Sequence, residues 1–324
     1  MNSRPLRQIA LYTALVAAAL LWNLIPLSVS LDPRSFEVAT WNMQWFPSGY
    51  PELQTPQEEA KRLAAATRFM RKHGVPDILM TQEIRDSVVC TNLVDKLNDT
   101  LFKTVVCSSF IDYETNAPAL QQLAIFSRFE AVVSGSEPWH ASDFVFPPRG
   151  YVYAVFNIHG TLVACFNVHL KSNYIPEDQD IKQQTSLNQL KRELSSRQLL
   201  AHIDRMRRDG LYGTNITQFI IAGDFNTSLT DSRYAKEKTI QRLLKSGFTN
   251  AFENLTGDEY ASLPATRYYP SATFDYIFTQ GLIAVGKPRV LPSSWISDHR
   301  MLKARFVPRG TPSSEETKAS SVTP

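Results

Sequence analysis

Short apolar runs recur along the whole chain, at residues 36–41, 78–81, 103–107, 123–127, 151–158, 162–168, 219–222, 273–278 and 301–307. Runs of this length, bounded by turn-forming residues, are what strands buried on both faces of a sheet look like. Helical patterns at residues 55–72, 87–98, 183–208 and 235–246 separate some of them. Others almost touch. The runs 151–158 and 162–168 are parted by the turn His159-Gly160, which makes a hairpin and hence an antiparallel pair. Strands interleaved with helices and hairpins predict an α/β protein with mixed sheets. No internal repeat and no Pro- or Gly-rich linker divides the chain, so one domain is expected over residues 31–308.

The ends of these runs carry the second signal. Phe219-Ile220-Ile221-Ala222 stops at Gly223, and Asp224, Asn226 and Thr227 follow at once. Asp and Asn suit turns, because their side chains bond nearby backbone amides and tolerate unusual φ/ψ. Ligands, however, also bind where the strands of α/β sheets end. The other runs repeat the pattern. "ATWNMQW" ends on Asn42, "DILMTQEIRD" delivers Glu83 and Arg85, and "ACFNVHLKS" delivers His169 and Lys171. "ATFDYIF" sets Asp275 inside an apolar strand, where an unpaired carboxylate costs several kcal/mol in lost hydration, so a histidine partner is expected for it. "ISDHRML" puts Asp298 and His299 just before the last run.

The ordered series WN, QE, NVHLKS, GDFN, FDYI and SDH, from Trp41 to His299, resembles that of the endonuclease/exonuclease/phosphatase superfamily, on the branch of pancreatic deoxyribonuclease. The resemblance implies a four-layer sandwich, two mixed β-sheets packed face to face and flanked by helices, with a site at one rim. It implies a divalent-metal-dependent phosphodiesterase, an endonuclease hydrolysing DNA or also RNA. Glu83 and Asn42, with Asp298 completing the set, would bind Mg2+, with Mn2+ or Ca2+ as alternatives. Asp224 would orient or deprotonate the attacking water, Asn226 would bind phosphate oxygens, and His299 would face the scissile phosphate. His169 would be the general acid, with Asp275 holding its imidazole. Arg85 and Lys171 are the expected nucleic-acid contacts. A phospholipid or sugar-phosphate ester is the alternative substrate, with the aromatic stretch 139–151 as a membrane-contacting loop. The intact ligand and histidine set argues against a binding protein that has lost catalysis.

The first 30 residues differ in kind. Arg4 and Arg7 precede an apolar run from Ile9 to Trp22, and Ser28-Val29-Ser30 supplies a small-x-small end. This is the pattern of a secretory signal peptide, with a retained signal anchor as the alternative. A secreted or periplasmic enzyme is expected, touching a membrane only through an uncleaved N-terminal segment, and no obligate protein partner is implied. Removing the segment takes two arginines and no acid from 34 basic and 31 acidic residues, so net charge does not point to a polyanion. The basic residues of 183–208, Arg192 among them, read as a solvated helix face. Cys90 and Cys107 are a possible disulfide in an exported chain, and Cys165 reads as buried and inert. Residues 309–324, rich in Ser, Thr and Pro, are expected to be disordered.

Overall fold

The computed structural model describes residues 32–309, apart from 53, 113–114, 212 and 268–269. The expected signal segment and the expected tail beyond Arg309 lie outside the described residues. In chain order the strands are β1 (Phe36–Phe46), β2 (Ile78–Ile84), β3 (Lys103–Cys107), β4 (Gln122–Ser127), β5 (Ala131–Pro138), β6 (Gly150–Ile158), β7 (Thr161–His169), β8 (Gln218–Asp224), β9 (Thr249–Asn250), β10 (Asp275–Gln280), β11 (Leu282–Leu291) and β12 (Met301–Pro308). The helices are α1 (Pro56–His73), α2 (Ser87–Leu97), α3 (Ile181–Asp209) and α4 (Thr239–Lys245). Among the described residues no helix is long and apolar enough to cross a membrane.

These strands form two mixed six-stranded sheets, ordered β11-β12-β1-β2-β4-β3 and β5-β6-β7-β8-β10-β9. Each has one parallel pair at its centre, β1–β2 and β7–β8, and antiparallel neighbours outside it. A parallel pair needs a crossover, supplied here by α1 and α3, and the crossover returns the chain so that both strands end at the same rim. That is how the first sheet brings Asn42 beside Glu83, and the second His169 beside Asp224.

Alternation along β1 shows the layering. Val38 joins Met80, Ile125, Phe166 and Ile221 in the core that includes both sheets, while Ala39 and Trp41 pack with Phe69 and Met70 of α1 and Leu93 of α2. Leu199 and Ile203 of α3, with Ile240 and Leu243 of α4, extend the first core over the second sheet. The expected four-layer sandwich is therefore present. The Thr55 side chain and Glu58 cap α1 reciprocally, and Pro56 starts it without a lost hydrogen bond.

One polar bridge crosses the apolar interior. Gln82 Nε2 donates to Thr40 Oγ1 at 3.0 Å and to Asn167 Oδ1 of the opposite sheet at 2.6 Å. Asn167 Nδ2 donates in turn to Thr81 O and Ala124 O, at 2.8 and 2.9 Å. A buried amide pair bonded across the interior fixes one sheet against the other.

Three expectations need correction. Strands β5, β9 and β11 lie outside the apolar runs: β9 is two residues long, and β5 and β11 alternate between exposed and half-buried residues along most of their length and carry Gly135, Gly286 and Pro288. Arg192 is not on a solvated face: it is 2% exposed and pairs with Glu237 at 2.6 Å. Cys90 and Cys107 are free thiols, as is Cys165, whose burial raises its thiol pKa.

Candidate active site

Four strand ends converge at one rim. Asn42 lies in β1, Glu83 is the sixth of the seven residues of β2, and His169 and Asp224 are the last residues of β7 and β8. At Glu83 the pairing of β2 with β4 slips, and φ is +60°. A bulge of this kind re-aims a side chain at the cost of local strain. Glu83 Oε2 accepts from Trp45 N–H at 2.9 Å, while Oε1 accepts from Asn42 Nδ2 at 3.0 Å. The same Nδ2 donates to Asp224 Oδ2, also at 3.0 Å. One amide thus joins carboxylates from opposite sheets.

Gly223 makes this approach possible. Its φ is +140°, and a Cβ there would lie 1.9 Å from Val168 O on the parallel neighbour. Beyond it, Asp224 has two functions. Oδ1 accepts from Asn226 N–H at 2.8 Å, closing the turn, and Oδ2 faces the site. Turn chemistry and site chemistry therefore share one carboxylate. Asn226, at φ +53°, donates its side-chain amide to Leu170 O at 3.2 Å.

The histidine partner of Asp275 is His299. Asp275 Oδ2 lies 2.7 Å from His299 Nδ1, and the expected pairing with His169 does not occur. Register explains the difference. Asp224 is paired with His169 on one side and with Asp275 on the other, so it stands between them. The loop before β12 brings His299 in instead, its backbone carbonyl held by Trp41 Nε1–H and Ser293 Oγ–H. His299 Nε2 then lies 3.9 Å from Asp224 Oδ2, and His169 Nε2 lies 3.7 Å from both Asp224 Oδ2 and Glu83 Oε1.

Burial and charge separate the two imidazoles. Burial, with the charges of Arg149, His299 and Lys171 around it, holds His169 well below the ordinary histidine range, so it is neutral. Burial also opposes a charge at His299, but hydrogen-bonded Asp275, with Asp224 and Asp298 beyond, keeps it protonated well above that range. Burial and the neighbouring Asp275 push the Asp224 carboxyl up to about 7.

The remaining expected residues are less central. Asp298 is exposed, and its backbone N–H donates to Gln44 Oε1. Arg85 pairs with Glu59 at 2.5 Å and Asp86 at 3.2 Å. Lys171 Nζ turns along its own loop, to Ser172 and to Tyr174 O.

Three arginines outside the expected site, Arg149, Arg62 and Arg192, hold the rim together. Arg149 donates to His169 O and Leu170 O. The hairpin turn was its available signal: pairing Tyr151 with Val168 sets Arg149 opposite Leu170. Arg62 ties Met43 O and Gln44 O to Ile296 O, joining β1, which carries Asn42, to the loop that carries His299. Arg192 bonds Lys171 O and Asn173 Oδ1, and Asn173 Nδ2 bonds Asn226 O.

The donor set suits a hard divalent cation, which takes carboxylate and amide oxygens. Glu83 and Asp224 converge on the positive end of one amide, Asn42, where a cation would find both carboxylates. Asp224, Asp275 and His299 also offer one ligand atom each within 4.8 Å of one another. The hydrogen bond that keeps His299 protonated makes it a poor ligand, so Glu83 is the better holder, with Asp224 facing it across Asn42, whose Nδ2 points to both carboxylates and whose Oδ1 accepts from Gln44 N–H.

A sequence model described as the Endonuclease/Exonuclease/phosphatase family matches residues 39–299. No curated protein matches the chain in sequence. Among solved structures it is similar to an endonuclease/exonuclease/phosphatase family protein from Bacteroides thetaiotaomicron, with 19% identity, a TM-score of 0.59, and 85% of this chain and 95% of that one covered. A family protein from Leptotrichia buccalis is similar at 15% identity and TM-score 0.58, covering 84% and 99%. D. rerio TDP2 complexed with a single-strand DNA product is similar at 16% identity and TM-score 0.54, covering 84% and 98%.

Proposed function

Because this chain belongs to the endonuclease/exonuclease/phosphatase family, whose members hydrolyse phosphoester bonds with divalent metals, we propose that it is a metal-dependent nuclease cleaving phosphodiester bonds in DNA. The observation that carries this reading is the convergence of Asn42, Glu83 and Asp224 with the Asp275–His299 pair at one rim. The DNA product bound by the D. rerio protein supports a nucleic-acid substrate.

The residues divide the work by charge. Asp224, poised near neutrality, takes a proton from the attacking water. His299, held as an imidazolium by Asp275, sets a positive N–H against the phosphoryl oxygens as they gain charge. Neutral His169 offers Nε2 to the same space, and Asn226 fixes the turn that aims Asp224. A divalent ion held at Glu83 would supply the neutralisation of the phosphate. In this reading Arg85 and Lys171 contact the substrate beyond the cleaved bond.

The test is hydrolysis of plasmid, single-stranded DNA and RNA by the purified chain, each with magnesium and with chelator. A second reading has one observation behind it. Phe144 is 92% exposed at the turn Ser142–Val145, and Phe146 is 59% exposed, as in a loop that meets a membrane. Phospholipid vesicles therefore belong in the same panel, and cleavage of these alone would replace the nuclease. Export, with removal of residues 1–30, is also part of the proposal; the N-terminal sequence of protein recovered outside the cell tests it.

A further inference from the structure

Beside the catalytic rim lies a cavity of about 300 Å³ that the hydrolytic chemistry does not use. Trp45, Ile111, Pro118, Leu120 and Pro148 give it apolar walls, and Arg149 and Gln121 line it as well. Hydrogen bonds fix where it sits. Arg149 donates to His169 O at 3.3 Å and to Gln121 Oε1 at 3.1 Å, and Trp45 N–H donates to Glu83. The lining is therefore bonded directly to the backbone of the histidine and to the side chain of the candidate metal ligand.

The choice of occupant follows from the walls. A phosphodiester has a substituent on each side, and one of them must lie beside the site. A bare sugar gains nothing from Ile111 and Leu120, which stand 45% and 38% exposed. An acyl chain needs a long apolar channel, but here Arg149, Gln121, Asp112 and Thr115 interrupt the surface. A nucleobase has an apolar face and a polar edge, matching both. The volume is at the small end for ligand pockets, fitting a single ring system.

We propose that this cavity receives the nucleobase next to the cleaved phosphodiester, so that the substrate strand must present that base unpaired. The inference rests on the nuclease reading and narrows it. A base inside a duplex is stacked and paired, and reaching the cavity would require flipping it out at a cost of a few kcal/mol. Single strands, gaps and frayed ends meet the requirement without that cost.

The experiment uses the full chain with magnesium on one oligonucleotide sequence, single-stranded and as a blunt duplex. A set of single strands, each with one abasic position, is scanned past the cut. The single strand should be cleaved at least about tenfold faster than the duplex. One abasic position adjoining the cut should lower kcat/KM on the order of tenfold, the factor expected for one stacked base. The double variant Ile111→Ser, Leu120→Ser, altered at two exposed positions, should show a similar loss on the intact strand, and in it the same lesion should cost little more. Equal cleavage of strand and duplex overturns the proposal, as does a lesion that costs nothing or costs as much in the variant as in the wild type. Those results leave a working nuclease. A wild type that cuts no nucleic acid instead overturns the nuclease reading, and the cavity assignment with it.

Discussion

Asp275 Oδ2 and His299 Nδ1 meet at 2.7 Å across the gap between the two sheets. Asp275 opens β10 of the second sheet, whereas His299 sits just before β12 of the first. With Asp275 fully buried, each group accounts for the other: the carboxylate has its counter-charge, and the imidazole has its proton fixed. Removing that charge should let His299 lose its proton at lower pH. Asp275→Asn should therefore move the alkaline limb of the activity profile to lower pH, and His299→Ala should cut the rate about 10²-fold or more. An unmoved limb in Asp275→Asn would detach the pair from catalysis.

Chelation should abolish hydrolysis, and magnesium or manganese should restore it. Glu83→Gln keeps the size of the side chain and loses its charge, so it should need far more metal for the same rate. Calorimetric titration with the metal alone would check this without substrate; wild-type affinity in Glu83→Gln would remove Glu83 from the set.

In chelator, Asp224 gives a stability signature. Its carboxyl titrates near 7 when folded and near 3.8 in a free chain, so between those values the native state holds a proton that the unfolded state has lost. Asp224's contribution to the stability of the metal-free protein should then fall as pH rises from about 4 to 7, opposite in sign to that of neutral His169. Asp224→Asn should make the slope of stability with pH more positive over that window. Thermal melts across this window measure it, and an unchanged slope in the variant is the contrary result.

Arg192 and Glu237 are 2% and 4% exposed and hydrogen-bonded at 2.8 and 2.6 Å. Leaving one such charge unpaired costs about 3–5 kcal/mol. Urea unfolding of Glu237→Ala should show a loss of that order. Its activity should fall as well, since Arg192 also supports Asn173 and, through it, Asn226.

Arg85 separates two roles. If it meets the strand beyond the cut, Arg85→Ala should weaken cleavage of DNA by a charge-assisted hydrogen bond, about 1–3 kcal/mol, and spare a small phosphodiester. Its bonds to Glu59 and Asp86 also shape the loop after β2. An equal loss on both substrates would leave only that structural role.

Much of this was legible in the sequence because the central strands are apolar on both faces and end abruptly. Asn42, Glu83, His169 and Asp224 stand where such runs stop, and the structure brings all four together. The edges were harder. In β5 and β11 much of the surface faces solvent, so no apolar run marks them. Pairings across sheets were also hidden. Nothing along the chain says that Asp224 separates His169 from Asp275, or that Arg192 turns inward to Glu237. The Arg149 contact was readable from the hairpin register but lay in a loop, away from the motifs.

The Gln82–Asn167 bridge has a consequence for folding. Asn42 and Glu83 ride on one sheet, and His169, Asp224 and Asp275 on the other, with the bridging amides beginning one residue behind Glu83 and two behind His169. A chain with both sheets formed but not yet docked would have nearly all its secondary structure and only half a site on each piece. During refolding, circular dichroism would then report completion before the first substrate is cut. For such a chain, turnover would time the docking of the two sheets, at which Asn167 meets Gln82.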